Sequence, residues 1–239
     1  MNMGKEGNKH VFWQALILAL IIFAAGLVLG FLFESSRADK LGDFYLSAET
    51  DIFDVQLESD ILEMFEFDCE RALGESVAFA DRIFWEAREL EKFDSSTELS
   101  QSVLNLHKRY DLLRVILWKD LIELRKKCPK ETNVIIYLYQ YNEPDIKTRA
   151  LQGALSGVLI ELKGKYGDEI ILVPIAHDTG VRSLGLLLEN YDVKEFPAIL
   201  VNEKHKVSGL VSLEELEGYL AKWFYTARKA SVVIYFVLQ

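Results

Sequence analysis

The sequence predicts a membrane-anchored protein of mixed class. A single N-terminal transmembrane helix is followed by an antiparallel α-helical hairpin and a C-terminal α/β domain of order β-α-β-α-β-β-α. Three observations predict it. The run VFWQALILALIIFAAGLVLGFLF, Val11–Phe33, contains no charged residue. Two apolar stripes stepping by three and four run between Ile61 and Cys128, the period of paired helices. Past Pro129 the chain alternates short β-rich runs with helical ones. The resulting segments are a tail at 1–10, the transmembrane helix at 11–33, an acidic linker or short packed segment at 34–60, the hairpin at 61–128, the α/β domain at 133–225 and an apolar tail at 226–239.

At 1.5 Å per residue the first apolar run reaches roughly 34 Å, enough to cross a hydrocarbon core of about 30 Å. Phe12 and Trp13 at one end, with Phe31 and Phe33 at the other, suit the two membrane interfaces. A cleaved signal peptide has an apolar core of about 7–15 residues ending at small residues. This run is longer, and FESSRADK offers a poor cleavage site. Lys5, Lys9 and the amino terminus precede the helix, while Arg37 and Lys40 follow it. The amino terminus tips that near-equal balance towards N-terminus inside, so the expected arrangement is a single-pass cell-membrane protein with its C-terminal part extracytoplasmic.

The segment Glu34–Asp60 is acidic and weakly periodic, with aromatics at Phe44, Tyr45 and Phe53. From Ile61, the residues Leu62, Phe65, Cys69, Ala72, Ser76, Phe79, Ile83, Ala87 and Leu90 form one helical stripe. Ser95 and Glu98 make a capping box that opens the next helix. Leu99, Val103, Leu106, Tyr110, Leu113, Leu117, Leu121, Leu124 and Cys128 continue in the same steps until Pro129 stops the helix. This coiled-coil-like seam is internal packing first and a self-association surface second.

Cys69 and Cys128, the two cysteines, both fall on the seam, as buried small residues or as a structural disulfide. With the loop centred near Ser95, Cys69 lies opposite about residue 120, leaving Cys128 roughly 12 Å further along. A disulfide needs Cα atoms within about 7 Å, so a kink at Gly74 or unwinding before Pro129 has to close the gap.

In the α/β part, Asn133–Tyr141 is a strand rich in β-branched and aromatic residues, followed by a helix from Asp145 to about Tyr166. GDEIILVPIA and VRSLGLLLENY supply a second strand and helix, AILVNEK and KVSGLV two more strands. SLEELEGYLAKWF is a closing helix capped by Ser212, with Glu215 at its third position.

That order, with Pro197 opening the third strand in NYDVKEFPAILVNEKHKVSGLVSLEELEGYL, resembles the thioredoxin superfamily over Asn133–Leu220. The resemblance implies a thioredoxin-like fold in which Pro197, preceded by Phe196, is the family's cis-proline. It also places the family's Cys-x-x-Cys at Asn142, Glu143, Pro144 and Asp145, where this chain has no thiol. A redox-silent domain is the consequence, because neither Asn nor Asp forms a mixed disulfide. In that family the same corner holds extended peptide, so Asn142, Glu143, Pro144, Asp145, Phe196 and Pro197 are the candidate binding residues.

Composition narrows the remaining choices. A net charge of −10 disfavours nucleic acid as a partner. His10, His107, His177 and His205 are scattered, so no metal site and no cofactor is expected, and His107 reads as a surface or boundary residue. The function expected is a non-catalytic, membrane-tethered binding or scaffold module and not an enzyme. Its partners are the membrane and a protein, or a second copy met through the seam or the tail. Two alternatives stand beside it: extracytoplasmic thiol-disulfide handling through Cys69 and Cys128, and a structural subunit of a membrane complex.

Overall fold

The computed structural model describes residues 6–64, 68–90, 100–128 and 132–220. The capping box at Ser95 and Glu98, the stripe residues Phe65 and Leu99, the stop at Pro129 and the apolar tail at 226–239 lie outside the described residues. The chain divides into two units, Met1–Leu46 and Ser47–Gln239, each taken by itself here.

In the first unit, helix α1 (Glu6–Met64) begins and carries the apolar span. Val11–Ser36 has a mean hydropathy of 3.0, and every residue of it is exposed. Its 26 residues reach about 39 Å, long and apolar enough to cross a membrane. Among the described residues nothing covers this apolar helix. Phe12 and Trp13 meet edge to face at 6.3 Å near its start.

Residues 34–60 are helical, part of α1, and from Ala48 onward they pack, which agrees with a packed segment and not with a linker. Ala48, Asp51, Val55 and Ser59 are buried at steps of three and four within the second unit. Arg82 pairs with Asp51 at 3.1 Å, while the Ser59 hydroxyl donates to Asp120 at 2.6 Å and accepts from the Lys119 ammonium at 2.7 Å. The stripe is built from one alanine, one valine and two polar residues. Its apolar contrast is too low to register as a period, which is why the sequence suggests a linker.

The hairpin's first helix is correspondingly shorter than expected. Ile61–Met64 end α1, and α2 runs Cys69–Leu90. The Asp68 carboxylate accepts the amide hydrogen of Glu70 at 3.0 Å, capping the new helix as a short acceptor side chain does. On α2 the buried residues are Ala72, Leu73, Ala80, Ile83, Ala87 and Leu90, with Ser76 and Phe79 only half-buried.

Helix α3 (Ser100–Lys127) has Val103, Leu106, Tyr110, Leu113, Leu117, Leu121 and Leu124 buried along the expected stripe. His107, Asp111, Arg114 and Trp118 are buried as well, on a second face. Both α2 and α3 lie against strand β2 of the sheet, and α3 also meets α5, so the hairpin forms a layer on the α/β domain. The seam is therefore covered within the chain.

The sheet has four strands: β1 (Asn133–Tyr139), β2 (Ile170–Ala176), β3 (Ala198–Val201) and β4 (His205–Ser208), ordered β2-β1-β3-β4. β1 and β2 are parallel, as the crossover helix α4 (Ile146–Tyr166) requires, and the pairs β1–β3 and β3–β4 are antiparallel. A single 3-10 turn, Gly167–Glu169, leads from α4 into β2. Helices α5 (Arg182–Asn190) and α6 (Leu213–Gly218) complete the order. One core joins Ile135 and Tyr137 of β1 to Leu155, Leu159 and Leu162 of α4 and Leu216 of α6. Asn202 follows β3 with φ +55, and its side chain accepts from the Val134 amide at 2.9 Å while donating to Asn133. β4 is a four-residue edge strand, mostly exposed.

Candidate functional site

The parallel strands β1 and β2 end together, Tyr139 opposite Ala176, and the loops leaving them form one corner of the domain. Loop 140–145 leaves β1. The Asp178 carboxylate, from the turn after β2, accepts the amide hydrogens of Tyr141 at 2.7 Å and Asn142 at 3.0 Å. Asp145 caps α4, its carboxylate accepting from the Thr148 amide and hydroxyl, both at 2.8 Å. Those bonds hold the Asp145 carboxyl below its ordinary range. Glu143 turns inward to accept from the Asp145 amide at 2.7 Å. Arg149, one turn into α4, donates to the carbonyls of Glu143 and Pro144.

The third side of the corner comes from β3. Leu138 pairs with Ala198, so Pro197 stands beside the end of β1, and the Phe196–Pro197 peptide bond is cis. The rings of Phe196 and His177 stack at 3.8 Å, only 10° from parallel. The structure thus brings Asn142, Glu143, Pro144 and Asp145 to the same end of the sheet as Phe196 and Pro197. The Asn142 carboxamide is exposed, and among the described residues it makes no hydrogen bond.

Several participants were not legible as site residues. The sequence reads His177–Asp178 as a solvated turn first and a minor metal or binding feature second; in the structure Asp178 fixes the loop and His177 stacks on Phe196. Burial lowers the His177 pKa from its ordinary value, against the opposing pull of Asp178 and Glu143. Its Nε2 is buried without a hydrogen-bond partner. His107 is a correction: it is 4% exposed, with its ring 4.3 Å from that of Tyr141, because the second face of α3 packs on the sheet. Further in, the Asp111 carboxylate accepts from the Ala176 amide at 3.1 Å and the Thr179 hydroxyl at 2.8 Å, and pairs with Arg114. Burial raises the Asp111 pKa, while Arg114 and those two donors oppose the rise. A polar i,i+3 pair on an apolar helix gives no signal of what it reaches. Its targets are 65 and 68 residues away in the chain.

Cys69 and Cys128 are joined in a disulfide with Cα atoms 5.6 Å apart. The expected 12 Å offset is absent, while α2 runs continuously through Gly74 and α3 stays helical to Lys127. The Tyr110 hydroxyl donates to Glu86, and Leu73 and Leu124 share a cluster with Cys128, which sets the midpoint of the antiparallel pairing near residue 98 instead of 95. A shift of about three residues in the midpoint moves the partner of Cys69 by about six or seven, towards Cys128. The disulfide closes the far end of α3. His107 marks the corner's end, and between the two lie roughly 30 Å of helix. Among the described residues no group of three or more His, Cys, Asp or Glu could hold a metal ion.

No protein-family model matches the chain, and no curated protein matches it. A solved structure described as "Structure of a malarial protein" aligns at 20% identity over 37% of this chain and 93% of its own, with a TM-score of 0.28. A likeness that loose carries no argument about fold or activity.

Proposed function

We propose that the chain is a non-catalytic, membrane-tethered binding module. Its C-terminal domain is thioredoxin-like, and it holds extended polypeptide at the corner formed by Asn142–Asp145, His177–Asp178 and Phe196–Pro197. One observation carries this reading: the corner is assembled and fixed by hydrogen bonds, yet the chain's thiols are bridged at the opposite end of α3. An exposed carboxamide beside a stacked ring pair suits recognition of a backbone and an apolar side chain, and nothing there supplies a nucleophilic sulfur. The disulfide also favours an oxidising compartment for the second unit, in line with an extracytoplasmic orientation.

Full-length protein in detergent tests the proposal. It should fail to catalyse insulin-disulfide reduction and should bind unfolded peptides, with affinity reduced at least tenfold by Phe196→Ala at an unchanged unfolding midpoint. Insulin reduction lost on Cys69→Ser would favour thiol-disulfide handling instead. Peptide affinity indifferent to Phe196→Ala would remove the corner as the binding surface.

A further inference from the structure

A second concavity lies beside the edge strand β2, between α2 and α4, and reaches the corner at Tyr139 and Arg149. Its volume is about 400 Å³, and its floor includes Tyr137, Tyr139 and Pro174. Proline suits that position, because an edge strand has one side where no amide donor is required. Three arginines from three different helices line the space: Arg88 of α2, Arg114 of α3 and Arg149 of α4. No acidic residue lines it, in a chain with 37 acids and 27 bases.

Compensation of the arginines is partial: Arg149 donates to the Glu143 and Pro144 carbonyls, and Arg88 lies over the Trp85 ring at 5.9 Å. Arg88 and Arg149 are exposed and make no ion pair among the described residues. Arg114 has a side chain only 5% exposed, and its one carboxylate partner is Asp111. Its Nε is buried with no hydrogen-bond partner. An unsatisfied donor at such a depth costs of order 1–3 kcal/mol, and guanidinium forks match carboxylate and phosphate oxygens. The space also has an apolar side. A neighbouring hollow of about 280 Å³ shares Phe84, Arg88 and Ile160 with it, extends to Trp85 and Leu172, and carries the Asp81–Lys163 ion pair. Trp85 is 62% exposed there, a large ring left in water.

We propose that this cavity binds a small amphipathic anion, a carboxylate or phosphate attached to an aromatic or short aliphatic body. The head group lies among Arg88, Arg114 and Arg149, and the body lies along Phe84, Ile160 and Trp85. Such a ligand offsets the positive charge that the three arginines bring to the cavity. It fills space the fold leaves open, and it does not depend on polypeptide binding at the corner.

Isothermal titration of the full-length protein in a neutral detergent tests this with four probes: 2-naphthoate, 2-naphthyl phosphate, the uncharged 2-naphthylmethanol and inorganic phosphate. At least one naphthyl anion should bind with a submillimolar Kd, and the two anions together decide between carboxylate and phosphate. The alcohol and inorganic phosphate should each bind at least tenfold more weakly than the better anion. Arg88→Gln, at an exposed position outside the corner, should weaken that anion tenfold or more without moving the unfolding midpoint. Arg149→Gln should weaken that anion as well, and it also removes the bonds Arg149 makes to the Glu143 and Pro144 carbonyls. Equal binding of the alcohol, equal binding of inorganic phosphate, affinity unchanged in Arg88→Gln, or no anion binding by folded protein would each overturn the proposal.

Discussion

His177 lies between water and an aromatic face, and its protonation follows from that position. Burial disfavours the imidazolium more than Asp178 and Glu143 favour it, so the folded chain holds the ring neutral below its ordinary titration range. The unfolded chain therefore takes up the proton first as pH falls. This group's contribution to stability is complete above a pH of about 6.5 and declines as pH drops below it. An NMR titration of the imidazole resonances should give a midpoint below that value, and Phe196→Ala should move it back upward by admitting water. A His177 midpoint at or above the ordinary value would refute the burial argument. Other residues acting at this scale hide in the sequence for a common reason. Asp178, Asp111 and Arg149 have the ordinary look of solvated charges, and only their partners, brought in from other elements, give them work.

At the scale of elements, the α2–α3 hairpin was readable because its stripe has high apolar contrast, while α1 beyond Phe33 was not. Ala48, Asp51, Val55 and Ser59 make a packed face from small and polar groups, held by Arg82, Lys119 and Asp120. No single-chain periodicity reveals a face like that. The four strands were readable in place, since their β-branched runs are bounded by turn residues. Their ends fell short of the apolar runs because pairing, not composition, terminates a ladder. The disulfide is the hairpin's clasp. With cysteines 59 residues apart, closing the loop restricts the unfolded chain and contributes about 4 kcal/mol on the chain-entropy account. Urea unfolding of Cys69→Ser/Cys128→Ser should show a loss of that order, matched by wild type under reductant. Indifference to reductant, or titratable thiols in the untreated native protein, would contradict the clasp.

For the whole molecule, composition and one apolar run carried most of the information. The run was unmistakable, and Val11–Ser36 is fully exposed along its length. Sidedness was weakly encoded, because Lys5 and Lys9 nearly balance Arg37 and Lys40. A structural disulfide adds an independent argument, since such bonds persist outside the reducing cytoplasm. Protease added to intact cells should digest the second unit, and permeabilisation should make little further difference. Full protection in intact cells, with digestion only after permeabilisation, would reverse the orientation.

The short edge strand has a consequence for life at a membrane. A helix that crosses a membrane confines its copies to two dimensions, where encounters between neighbours are frequent and an open ladder of amides and carbonyls invites sheet-to-sheet joining. β2, at one edge, is covered by α2 and α3, and among the described residues β4 is the open side. That strand is four residues long and begins with His205 and Lys206, too brief and too charged to template another chain. On the proposed tethered arrangement, copies can be crowded without joining through this strand.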